Sequence, residues 1–172
     1  MKSTIKTGVV TGIISSVFLL GLFTLITRLN DKNGWGMQAD NIRGVLGLIS
    51  IPIQFIGIYV AMQNAKAMSG ALTYGQALKT GIVVAITVAI VVAAFSLFYC
   101  LLNPGYRAYM VSDAQKAMHA AHETPEQIAI HTASVAAEYN TGMQVTQALV
   151  GQFVTGSIMS LILGIFLKGK KK

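Results

Sequence analysis

The sequence is short of charge, cysteine and acidic residues, and each shortage removes a class of protein. Charged side chains make up 11% of the 172 residues, against about 25% in a soluble globular domain, so too little of the chain suits water for a soluble fold. A single cysteine, Cys100, excludes an intramolecular disulfide and any cysteine-rich metal site; it lies in an apolar run and reads as packing. Six acidic residues are present and none falls in a long apolar run, so the intramembrane carboxylates typical of ion and proton pathways are missing. Nor is there a glycine-rich phosphate loop, a nucleophile elbow, a Cys-His pair or a zincin motif. These absences point away from an enzyme and leave no expected cofactor or metal.

What is present is hydrophobic chain, 53% of all residues. Crossing a hydrocarbon core about 30 Å thick takes about 20 apolar residues in a helix, and four uncharged intervals meet that length: 7–27, 44–65, 80–102 and about 145–167. The third stops at Asn103-Pro104, where proline cannot continue the helix and disfavours helical geometry in the residue before it. The opening Met-Lys-Ser-Thr-Ile-Lys imitates a signal peptide, but the following apolar core exceeds the usual length of about 7–15 residues and no Ala-x-Ala site follows, so it is expected to be a retained first span. The fold expected is all-α: a polytopic membrane protein forming one membrane domain over 1–172, with four transmembrane helices and an extracytoplasmic helical segment, about 103–144, between helices three and four.

Charge sets the expected orientation. Lys2 and Lys6, Lys66 and Lys79, and Lys168, Lys170, Lys171 and Lys172 fall on one side of a four-span chain, whereas Asp31, Asp40, Asp113, Glu123, Glu126 and Glu138 all fall on the other. By the positive-inside rule the lysine side is cytoplasmic, which puts both termini in the cytoplasm of a bacterial inner-membrane protein. The net charge of +7 owes much to the terminal lysines and reads as a topology signal and anchor, so no nucleic-acid partner is expected; the lipid bilayer is the partner the composition names. A short repeat fits this topology: Ile5-Lys6-Thr7-Gly8-Val9-Val10 recurs in pattern as Leu78-Lys79-Thr80-Gly81-Ile82-Val83, each at the cytoplasmic entrance to an odd-numbered span.

The external segment reads as two helices. One covers Tyr106 to Ala121, and Thr124-Pro125-Glu126-Gln127 then supplies an N-cap, a proline at the first helical position and a Gln three residues past the cap. Ile128, Val135 and Tyr139 share one face of the second helix by spacing and must cover the spans, the membrane surface or a partner. Within the spans, small residues recur every four positions as Gly8, Gly12 and Ser16, as Ala85, Ala89 and Ala93, and as Gly156, Ser160 and Gly164. That spacing lets helix backbones approach closely in lipid, which serves packing within the bundle or, alternatively, a contact in a homo-oligomer or with another membrane protein. Pro52 and Gln54, with Gln147 and Gln152, are the polar interruptions of the second and fourth spans; amides there bridge helices or line a wet cavity. His119, His122 and His131 sit with Glu123 and Glu126 in a spacing that could hold a metal on one continuous helix, but Pro125 breaks that helix, so solvated histidines are expected.

The chain also resembles a known family. Lys6 and Gly8 at the first span, Thr73-Tyr74-Gly75-Gln76-Ala77-Leu78-Lys79-Thr80-Gly81 leading into the third and Asn103-Pro104-Gly105-Tyr106 after it are similar to the domain-of-unknown-function family 4199. The resemblance covers essentially the whole chain and implies a small bacterial four-span membrane protein, common in Bacteroidetes and their relatives, with no activity to transfer. The stretch from His119 to His131 lies outside those motifs. The reading is a non-enzymatic interaction or assembly component acting through its external segment; the alternative is an oligomeric channel or transporter subunit.

Overall fold

The computed structural model describes the backbone of residues 1–33 and 37–167 and the side chains of residues 1–30 and 48–167. Asp31, Lys32, Asp40, Arg43 and the four terminal lysines named above lie outside the described side chains. Among the described residues six helices follow one another: α1 Lys2–Asn33, α2 Met37–Ser69, α3 Tyr74–Leu102, α4 Tyr106–Ala120, α5 Pro125–Glu138 and α6 Thr141–Leu167. No strand occurs among the described residues. Four helices, α1, α2, α3 and α6, are long and apolar enough to cross a membrane, so the chain has the build of a multi-pass membrane protein with a helical hairpin between its third and fourth spans.

α3 and α6 begin ahead of their uncharged intervals because local capping, not the nearest charge, decides where they start. Thr73 caps α3: its side chain accepts from the Gln76 backbone N–H while the Gln76 side chain accepts from the Thr73 N–H, a capping box that starts the helix six residues before the expected 80. At the other end α3 stops at Leu102, just before Asn103-Pro104, where the Asn103 side-chain and backbone N–H groups both donate to the Tyr99 carbonyl. Likewise the Asn140 side chain accepts from the Gly142 N–H, so α6 begins at Thr141 inside what reads as external segment. Pro52 lies within α2 without ending it.

In the bundle α3 touches all three other spans, α6 most extensively, while α1 and α6 occupy opposite corners. Its buried face is made of two ridges spaced by four: Val84, Val88 and Val92, and Ala77, Gly81, Ala85, Ala89 and Ala93. The second ridge lies against the small residues of α6 in an antiparallel register. Ala85 meets Gly156, Gly81 meets Ser160 and Ala77 meets Gly164, so each step of four on one helix is matched by a step of four on the other. The α3 ladder therefore continues beyond Ala85, Ala89 and Ala93 toward Ala77. On the other side of α3, Gly8 faces Thr87 and Gly12 faces Val88 and Val91, while Gly57 of α2 faces Thr11. The glycines of the recurring hexapeptide thus face different neighbours, Gly8 toward α3 and Gly81 toward α6 and Met62, so its likeness does not extend to a symmetric packing.

The bundle departs from a soluble fold on its outer surface. Thr11, Ser15, Ser16, Ser50, Gln54 and Ser160 are buried, whereas Ile56 and Phe98 remain 60% and 62% exposed on the outer surface. Large apolar side chains ring the outside as well as filling the core, and small and polar ones are buried among them, the arrangement expected when the surrounding solvent is hydrocarbon. The centre is filled: Ile58, Met62, Val84 and Val88 are wholly buried. Ser16 and Ser160 stay compact by donating to the carbonyls of Gly12 and Gly156 four residues back, at 2.7 and 2.6 Å.

A side chain at the α3–α6 seam has nowhere to go, whereas one at an open glycine does. Gly81→Leu should lower stability in mild detergent by about 1–3 kcal/mol or more through overpacking, read as a shift in the denaturant midpoint of helical circular dichroism. Gly21→Ala, at a position with nothing within 4 Å of an added Cβ, should be neutral or gain up to about 1 kcal/mol from helix propensity. Equal effects at the two sites would contradict the seam.

Candidate functional site

The polar side chains that the spans bury converge between α2 and α6. α2 turns Ser50, Gln54 and Ile58 inward at steps of four, and α6 presents Gln152 and Gly156 to them. The Gln54 amide N–H donates to the Gln152 backbone carbonyl at 2.8 Å, and the Gln152 side-chain amide donates to the Ser50 hydroxyl at 3.2 Å. Gly156 makes this possible, because a Cβ there would collide with the Gln54 amide nitrogen and with Ala85. The amide carbonyl oxygens, Gln54 Oε1 and Gln152 Oε1, are buried with no partner among the described residues. An unpaired buried acceptor costs about 1–3 kcal/mol, and two of them occur in one seam. Amides do not titrate in the physiological range, so the group can bridge helices or accept a hydrogen bond from a hydroxyl or water; it has no acid, base or activated nucleophile with which to do covalent chemistry. Pro52 and Gln147, by contrast, point outward.

A second constellation joins the hairpin to the spans. Asn30, 4% exposed near the end of α1, donates from its amide to both carboxylate oxygens of Asp113 on α4, at 3.0 and 3.1 Å. Phe23 of α1, Tyr99 of α3, Tyr106 of α4 and Tyr139 at the end of α5 form a chain of edge-to-face contacts with centroids 5.4–6.2 Å apart. Each such pair contributes about 0.5–1.5 kcal/mol beyond area burial. The hairpin closes on itself through Arg107, whose Nε donates to the Ala136 carbonyl at 2.8 Å. The face of Ile128, Val135 and Tyr139 is half-buried, whereas no residue of α5 is fully buried.

The histidines are dispersed. His131 Nδ1 pairs with Glu123 Oε2 at 2.9 Å, with His131 half-exposed, and among the described residues no three His, Cys, Asp or Glu side chains converge on a common point. His122 has a backbone task. With φ of 58° it sits in the left-handed region just past α4, where the Glu123 N–H returns to the Met118 carbonyl and the His122 N–H to the His119 carbonyl, the pattern of a Schellman cap. Thr124 then opens α5 with a capping box to Gln127.

The distinctive motif residues have structural roles in this geometry. Thr73 and Gln76 form the cap of α3, Tyr74 lies against Gly164, Ala77 and Gly81 line the α3–α6 seam, Asn103 closes α3 and Tyr106 joins the aromatic chain. A family model described as Protein of unknown function (DUF4199) matches residues 6–169. The chain belongs to this family. In this DUF4199 member the matched stretch contains all four candidate spans almost entire and the hairpin between α3 and α6. No curated protein and no solved structure matches it.

Sequence spacing identified Gln54 and Gln152 separately but not their meeting; it missed Ser50 and Asn30, and it gave Asp113 only as one of the external acidic residues. Serine and asparagine inside or beside an apolar run carry no period of their own, and Asn30 lies 83 positions from its partner. The seam is testable by a double-mutant cycle. Ser50→Ala and Gln152→Leu should each destabilise the detergent-solubilised protein, and the pair should fall short of additivity by about 0.6 kcal/mol, the usual coupling of an interhelical hydrogen bond in a membrane protein. Strict additivity would mean that the two side chains do not interact.

Proposed function

We propose that this chain is a non-enzymatic interaction or assembly component of the bacterial inner membrane, with both termini in the cytoplasm, and that it meets other molecules through the α4–α5 hairpin. The observation that carries this reading is a contrast within the hairpin. Its inner side is fixed to the spans by the Asn30–Asp113 pair and the aromatic chain, yet α5 leaves its outer side uncovered, with Ile130 61% exposed. A rigid mount holding an open helix face is the geometry of a docking part rather than of a mobile loop. The filled centre of the bundle, closed by Ile58, Met62, Val84 and Val88, favours this over conduction through one protomer. Orientation is supported by Lys2, Lys6, Lys66 and Lys79 at one end of the bundle and Asp113, Glu123, Glu126 and Glu138 at the other.

A second reading, an oligomeric channel or transporter subunit, draws on the unpaired carbonyl oxygens of Gln54 and Gln152. The two readings separate in one comparison. A photo-crosslinking residue at Ile130 should give discrete protein adducts in cells, and one at lipid-facing Ile56 should give none, while Gln54→Leu should leave solute flux in reconstituted vesicles unchanged. Adducts absent at Ile130 together with altered flux in Gln54→Leu would replace the first reading with the second.

Sidedness has its own check. In a Cys100→Ala background, a cysteine at Ser112 should react with an impermeant maleimide added outside spheroplasts, and one at Ser69 only after the membrane is opened. Reaction of both from the same side would overturn the orientation.

A further inference from the structure

Two grooves open at the end of the bundle where α1 starts, α2 finishes and α3 starts. The larger, about 600 Å³, runs between α1 and α2. Ser3, Lys6 and Asn64 stand at its rim and Val10, Ile14 and Ile56 along its walls, while Gly57 contributes no side chain to the floor. The smaller, about 380 Å³, lies between the start of α1, the end of α2 and the start of α3, with Gln76 and Lys79 polar and Met68, Leu72 and Val83 apolar. The recurring hexapeptide acquires a meaning here: its Lys-Thr pair lines one groove as Lys6-Thr7 and the other as Lys79-Thr80. Both volumes fall in or near the range of small-molecule sites, about 300–1,000 Å³.

We propose that each groove seats an anionic phospholipid, one acyl chain lying along the apolar walls and the headgroup phosphate meeting the lysine ammonium at the rim. Three features select this occupant. The walls of the larger groove belong to the outer surface of the spans, where Val10, Ile14, Ile56 and Val60 are at least 40% exposed in the belt that faces hydrocarbon. The polar groups gather at one end of the larger groove, and from Lys6 to Ile14 α1 rises about 12 Å at 1.5 Å per residue, so a ligand there must be amphiphilic and aligned with the helices. The charge is of one sign: Lys2, Lys6, Lys66 and Lys79 share this end, and neither 1–30 nor 48–112 contains an acidic residue, so an anion is favoured and a zwitterion gains little. In the larger groove Ser3, in the first turn of α1, adds free backbone N–H groups with the positive end of the helix dipole.

The test is native mass spectrometry of the full-length protein in neutral detergent, titrated with phosphatidylglycerol and with phosphatidylcholine of identical acyl chains. Phosphatidylglycerol adducts should form at several-fold lower lipid concentration. Lys6→Gln should remove one adduct and Lys79→Gln the other, Lys6→Arg should keep it, and Arg28→Gln, at the opposite end, should change nothing. Val60→Trp, filling the larger groove from an exposed position, should abolish binding of either lipid there while the circular dichroism melt stays unchanged. Equal binding of the two lipids, retention of both adducts in Lys6→Gln, or equal loss in Arg28→Gln would overturn the proposal. Displacement of the lipid by glycerol 3-phosphate at matched concentration would also overturn it, since it would assign the site to a free phosphate.

Discussion

In hydrocarbon no solvent pushes apolar helices together, so a bundle of spans is held by how closely its backbones can approach. Here that constraint is met at the antiparallel seam of α3 and α6, where Ala77, Gly81 and Ala85 lie opposite Gly164, Ser160 and Gly156. Much else hangs from this contact. Because Gly156 has no side chain, the Gln54 amide reaches the Gln152 carbonyl and α2 is drawn onto α6. Because α3 uses one ridge for α6, its valine ridge is left to fill the middle of the bundle. Because Gly164 is bare, Tyr74 can lie over it at the very start of α3. The serine in the seam keeps its hydroxyl on its own helix, so a polar residue is accommodated without widening the gap.

The hairpin depends on that arrangement in turn. Phe23 and Tyr99 come from parallel neighbours α1 and α3, whose spacing is set lower down by Gly8 against Thr87 and Gly12 against Val91. The two rings receive Tyr106, and Tyr106 receives Tyr139. The orientation of α4 and α5 is therefore an extension of the α1–α3 packing, reinforced by Asn30 and Asp113, rather than a property of the connecting chain.

How much of this was legible in the sequence follows from the range of the interactions. The four spans and the helical hairpin were readable because charge and hydropathy are local, and so was the start of α5, since Thr124, Pro125 and Gln127 form a cap within one turn. The same box at Thr73 and Gln76 is present in the letters, but the uncharged interval after Lys79 masks it by offering a simpler boundary. The small-residue ladders were visible as spacing; which ladder faced which was not, since register between helices appears in neither strand of the pattern. Gly81 belongs by spacing to both the hexapeptide repeat and the α3 ladder, and only the contact with Ser160 shows it as a seam residue. The aromatic chain escaped for a different reason: its four rings lie on four helices and share no period.

The way each polar side chain is satisfied also orders the biogenesis of the protein. Ser16 and Ser160 bond within their own helices, so α1 and α6 carry those two hydroxyls into the bilayer already satisfied. α2 is different: its Gln54 donor finds its acceptor on α6. The ribosome makes α6 after α2, with Gln152 98 residues beyond Gln54. α2 therefore enters the membrane before its acceptor exists, and its Gln54 amide is engaged only once α6 has followed.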